Sequence, residues 1–128
     1  MELPLVTVDA FTDKPFSGNP AGICLLPGSL SPEWMQRIAA EVNLSETAFL
    51  ETIDEQNYHI RWFTPEKEVD LCGHATLASA FLLYTAELAD KAREIVFSSK
   101  SGTLKASWQE GEYAIALDFP LIPTQEAV

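Results

Sequence analysis

Asp70-Leu71-Cys72-Gly73-His74-Ala75-Thr76-Leu77-Ala78-Ser79-Ala80-Phe81-Leu82-Leu83-Tyr84 is a short polar turn that runs straight into a nearly all-apolar helix. From about Ala75 to Leu88 the apolar residues keep to no single stripe, since Leu77, Phe81, Leu82, Leu83 and Tyr84 point all round the axis. A helix hydrophobic all round belongs in an interior. Its polar residues gather at the N-terminal end, where unpaired main-chain N–H groups and the positive end of the helix dipole suit an anion. The stretch therefore predicts a buried central helix whose mouth, Cys72-Gly73-His74, faces a cleft.

Such a helix needs sheet around it, and the flanking sequence supplies it. Leu3 to Phe11 alternates as an opening strand, and Thr12 to Pro20 collects turn formers as a loop. Ala21 to Leu26 has strand length and ends at Pro27-Gly28. Ser31-Pro32-Glu33 starts an outer helix with an N-cap serine, proline in the first turn and an acid beside it. That helix is amphipathic, with Trp34, Ile38 and Val42 on its apolar side, and Asn43-Leu44-Ser45 ends it.

Glu46 to Ile53 and Tyr58 to Thr64 are strands joined by the polar turn Asp54 to Asn57, which makes them a hairpin. His59 and Arg61 fall on the polar face of the second strand and are read as ordinary surface or edge residues. The central helix should end between Glu87 and Asp90. Arg93 to Ser98, Gly102 to Trp108 and Glu112 to Phe119 then predict an antiparallel meander. Trp34, Trp62 and Phe81 are expected in the core. The expected fold is α+β: a mostly antiparallel, β-barrel-like sheet wrapped round the central helix, with one outer helix.

A chain of 128 residues holds one sizeable core. Nineteen acidic against eight basic residues leave a net charge of −11, which excludes long-range attraction to phosphate backbones or anionic membranes. No nucleic acid or membrane partner is expected. The N-terminus lacks the basic and apolar regions of a signal peptide, so a cytoplasmic protein is expected. Cys24 and Cys72 make no disulfide framework and are read as thiols.

Four motifs in order, Phe11-Thr12-Asp13-Lys14-Pro15-Phe16-Ser17-Gly18-Asn19-Pro20-Ala21, Asn43-Leu44-Ser45-Glu46-Thr47-Ala48-Phe49, Arg61-Trp62-Phe63-Thr64-Pro65 and Leu71-Cys72-Gly73-His74-Ala75-Thr76, resemble the amino-terminal half of the phenazine-biosynthesis PhzF-like isomerases, which share the diaminopimelate epimerase fold. The resemblance runs from about Leu5 to Pro120. It implies a single lobe over residues 1–119, and Pro120 to Val128, with two prolines and no periodicity, reads as a linker-like tail. It further implies two similar lobes with the active site between them, no metal and no organic cofactor. Glu46 matches the position of the family's proton-shuttling acid/base. Gly73, His74, Ser45 and Asn19 match positions that lie at the substrate. The family's second lobe adds polar groups to the same cleft, so this chain is expected to need that lobe, or a second copy of itself as a homodimer.

The residues suit that chemistry. Moving a hydrogen between carbons takes a base that removes a C–H proton and returns it elsewhere, and a partly desolvated carboxylate serves. Glu46 stands just before the apolar Ala48-Phe49-Leu50, although a glutamate at a strand edge is commonly just a solvated charge. Gly73-His74 can offer N–H groups to a carboxylate or an enolate-like oxygen, or can be a plain tight turn with His74 as a cap. His74 can also hold or relay a proton. Asn19 and Ser45 either bind substrate or support their turns. Cys72 is read as structural. The rival is a thiol-based epimerase or racemase, in which a thiolate at a helix start is the base. A further alternative is an inactive lobe or a module that binds a small anion. The expected substrate is a small carboxylate-bearing metabolite.

Overall fold

The computed structural model describes residues 5–10, 19–109 and 115–118. The chain runs β1 (Leu5–Ala10), β2 (Asn19–Leu26), α1 (Pro32–Val42), β3 (Glu46–Thr52), β4 (Asn57–Phe63), β5 (Glu68–Val69), α2 (Gly73–Thr85), β6 (Ile95–Ser99), β7 (Gly102–Trp108) and β8 (Ile115–Asp118). These form a single sheet in the order β1-β2-β3-β4-β6-β7-β8, with β5 paired to β4. The expected β3–β4 hairpin and the β6–β7–β8 meander are both present. Two ladders, β2 with β3 and β4 with β6, are parallel. Each parallel pair is joined by a helical crossover, α1 or α2, as parallel pairing requires. The described ladder runs from β1 to β8 without closing on itself. The observed architecture is thus a mixed α+β sheet with two helices.

The alternation of β2, β3 and β4 sends the two helices to opposite faces. Ile23, Ala48, Leu50, Ile60 and Trp62 pack in one core with Ala75, Ala78, Ala80, Leu83 and Tyr84 of α2. Cys24, Leu26, Phe49 and Phe63 pack in a second core with Met35 and Ala39 of α1. A strand covered on both sides must be apolar at successive positions, which is why Thr47-Ala48-Phe49-Leu50 is buried throughout. Helix α2 contacts β1, β2, β3, β7 and β8, and its many alanines let those strands come close.

Several expectations need correction. Trp34 and Phe81 are exposed rather than core, and only Trp62 of the three is buried. The buried face of α1 is Met35 and Ala39, so Trp34 lies one step round the axis, where its ring takes the Arg37 guanidinium at 4.9 Å. β2 begins at Asn19, because Asn19 and Pro20 already pair with Ala10 and Asp9. α2 ends at Thr85 rather than between Glu87 and Asp90. Glu87 adopts a left-handed φ of 61°, and the N–H groups of Glu87 and Leu88 donate to the carbonyls of Tyr84 and Leu83. This reversed turn closes the helix before its apolar run is spent. Arg61 is no ordinary surface residue, since it makes a two-pronged ion pair with Glu68 at 2.8 Å on both contacts. Most of the loop expected over 12–20, part of the strand expected over 112–119 and the whole tail 120–128 lie outside the described residues.

Candidate active site

Register places the candidate residues at one end of the sheet. β2 and β3 run parallel with Ala21 opposite Glu46, so Asn19 and Ser45 stand at the same end as Glu46. β4 runs back along β3 and brings Phe63 opposite Thr47. From there β5 folds onto Trp62 and Phe63, and the chain enters α2 at Gly73. The start of α2 therefore returns to the end that carries Glu46.

Alternation then sets the faces. Ala48 and Leu50 belong to the core beside α2, and Glu46 is in phase with them. Glu46 is half-buried, as are Cys72, Gly73 and His74, whereas Ser45 is exposed. Asn19 is described through its backbone pairing with Ala10, and its side chain lies outside what is described. Burial pushes the Cys72 thiol up from its ordinary value, and the charge of Glu46 pushes it the same way. The main-chain N–H groups of Ala75 and His74 pull it back in part. The charge of Glu46 is thus felt at the opening of α2. A thiol whose acidity is weakened by its surroundings is a poor base near neutrality, which counts against the thiol-based reading.

The opening of α2 is held from three sides. Arg61 and Lys100 both bind the carboxylate of Glu68 on β5, Lys100 at 3.0 Å. Ser101 donates its hydroxyl to the carbonyl of Asp70 at 2.6 Å. Inside, the indole N–H of Trp62 donates to Thr76 Oγ1 at 2.8 Å, and the Thr76 hydroxyl donates to the carbonyl of Cys72 at 2.7 Å. Reading the sequence did not single out Thr76 or place Trp62 beyond the core. The available signal was a buried indole, which needs an acceptor for its N–H.

The far end of α2 is closed by a different lock. Buried Gln56 accepts from the Asp90 N–H at 2.7 Å and donates to the Glu94 carbonyl at 3.1 Å. A cavity of 640 Å³ lies there, lined by Gln56, Tyr84, Glu87, Leu88 and Asp90 among others. It sits at the opposite end of the helix from Glu46. Among the described residues no group of His, Cys, Asp and Glu is arranged to hold a metal ion.

Comparison with known proteins gives a consistent set of likenesses. A family model described as phenazine biosynthesis-like protein matches residues 8–127. An uncharacterized isomerase of Halalkalibacterium halodurans is 53% identical over 129 residues, covering 100% of this chain and 48% of that protein. A solved phenazine biosynthesis protein of the PhzF family from Enterococcus faecalis is 42% identical with a TM-score of 0.77, covering 99% of this chain and 50% of that one. A hydroxyproline epimerase of Agrobacterium vitis is 12% identical with a TM-score of 0.64, covering 90% of this chain and 40% of that one, a likeness of fold alone. The chain spans about half the length of the curated relatives it matches.

Proposed function

The chain belongs to the phenazine biosynthesis-like family, and from that membership we propose that it forms one lobe, over residues 1–119, of an isomerase that shifts a proton on a small carboxylate-bearing metabolite. The observation that supports this reading most is the reach of the Glu46 charge to Cys72, the residue next to Gly73-His74. The Glu46 carboxylate takes a C–H proton from the substrate. The electron pair left behind spreads onto the substrate's own carboxylate oxygens, and the Gly73 and His74 N–H groups at the positive end of α2 stabilise that charge. Protonated Glu46 then delivers the proton to carbon at its new position. No electrons enter or leave, and the step calls on no cofactor or metal. Asn19 and Ser45, at the same end of the sheet, hold the substrate. Cys72 fills space under the mouth.

The sheet wraps round α2 as a lobe of the diaminopimelate epimerase type, a reading supported by contacts of the helix with β1, β2, β3, β7 and β8. The second wall of the cleft comes from a second lobe or from a second copy of the chain. The protein acts in the cytoplasm, where the free thiols of Cys24 and Cys72 are at home.

Two measurements test this reading. The chain is incubated in heavy water with a panel of small carboxylic acids, and NMR follows loss of C–H signal. Exchange on one member supports the isomerase, and no exchange on any member favours an anion-binding or inactive lobe. Light scattering at high concentration decides the second wall: a dimer supports a site made by two copies, and a strict monomer removes it.

A further inference from the structure

Helix α2 carries three hydroxyls that donate to the carbonyl four residues back: Thr76 to Cys72, Ser79 to Ala75 and Thr85 to Phe81, each at 2.7 Å. Such back-bonding is common and local. Thr76 differs from the other two because its oxygen also receives a buried indole N–H from another element, Trp62 of β4. Thr76 is 0% and Trp62 1% exposed. The Thr76 hydroxyl is therefore used both as acceptor and as donor, and a polar chain runs from β4 to the first carbonyl of α2. Trp62 is the register partner of Ala48, two residues along β3 from Glu46. The strand beside Glu46 and the start of α2 are thus tied through one hydroxyl.

The geometry points to Thr76 and Trp62 as positioning residues: their hydrogen-bonded chain onto the Cys72 carbonyl sets where the Gly73 and His74 N–H groups stand relative to Glu46. The inference rests on the reading of that mouth as an anion-binding site. The physical reason is that the first N–H groups of a helix have no partners within it, so their placement depends on how the cap and first turn are held. Here the N-cap is a cysteine, whose sulfur is only a weak acceptor for the His74 and Ala75 N–H groups, so the Cys72 carbonyl, which also accepts the Thr76 N–H at 3.1 Å, carries much of the anchoring. An error of about 1 Å in placing a binding group is enough to lose much of its effect.

Sodium acetate serves as the probe, in an amide NMR titration of the whole chain that follows the Gly73 and His74 N–H signals. Each variant is studied well below its own thermal midpoint. Thr76→Val keeps the shape and removes both hydrogen bonds; it should weaken acetate binding roughly tenfold, and Trp62→Phe should do likewise. The double variant should be no weaker than either single one, because both break the same chain. Thr76→Ser, which keeps the hydroxyl, should bind within about twofold of the wild type, as should Ser79→Ala, whose back-bond has no outside partner. If Thr76→Val fails to fold, Trp62→Phe carries the same test. Unchanged binding in Thr76→Val and Trp62→Phe overturns the positioning role and leaves the mouth intact. Additive losses overturn the single chain. No response of the wild-type Gly73 and His74 signals to acetate defeats the anion-binding mouth itself, and this inference with it.

Discussion

The charge of the Glu46 carboxylate on β3 raises the pKa of the Cys72 thiol at the cap of α2. Burial raises that pKa more, and Glu46 adds to it. Glu46→Gln removes the added part, so the thiol becomes more acidic and a larger fraction is thiolate at a fixed mildly alkaline pH. Iodoacetamide should alkylate Cys72 faster in Glu46→Gln than in the wild type, read by peptide mass spectrometry in a Cys24→Ala background. Equal rates would show that the two groups do not share one mouth.

Stability should fall on the alkaline side. The thiols of Cys24 and Cys72 and the phenols of Tyr58 and Tyr84 are all raised, each chiefly by burial. A raised folded-state pKa means the unfolded chain gives up its proton first. The stabilisation is therefore complete below the ordinary thiol value of 9.0 and is lost as pH climbs above it, with the phenols following above 10.0. Urea midpoints measured from pH 8 upward should decline, and Cys24→Ala should decline less steeply. A flat profile would contradict this.

The acid side is governed in part by Glu68. Its carboxyl is held below the ordinary 4.5, first by the Arg61 hydrogen bonds and then by Lys100. The contribution is present above 4.5 and is lost as pH falls through the lowered folded-state value. Glu68→Gln should cost about 1 kcal/mol at neutral pH, a modest figure because the pair is partly open to water. The gap between variant and wild type should close in strongly acid solution. A gap that stays constant with pH would mean the loss is packing rather than charge.

Glu87 occupies the left-handed position that ends α2, with φ of 61°. A side chain there costs about 1 kcal/mol relative to glycine. Glu87→Gly should raise unfolding stability by about that much, read by urea denaturation. A loss of stability would mean that the Glu87 side chain holds the turn by a contact that outweighs the strain.

Much of the fold was legible because most elements follow one rule each. Ser31-Pro32-Glu33 marks the start of α1, and Glu46 and Asn57 open the two strands of the hairpin within a residue of where alternation put them. The helix at Gly73 to Thr85 was legible from its lack of a polar face. What escaped were relations between elements. Periodicity cannot tell which side of α1 meets the sheet, so it points Trp34 inward although Met35 and Ala39 take that face. Nor can it say that an all-apolar helix leaves Phe81 uncovered. The polar turn before β4 hid Gln56, whose side chain is buried because the Asp90–Glu94 backbone folds over it. At the candidate site, Glu46 and Gly73-His74 stand out through motifs, whereas Thr76 and Trp62 are linked across fourteen residues and only the fold brings them together.

The proposed role of Glu46 as proton carrier is tested by exchange at carbon. With the carboxylic acid that the wild type exchanges, the rate of solvent deuterium incorporation into carbon is compared for wild type, Glu46→Gln and Glu46→Asp, all checked for native folding. Glu46→Gln should lose at least about a hundredfold, as expected when a general base is removed, with partial activity in Glu46→Asp. Equal rates in wild type and Glu46→Gln would contradict that role.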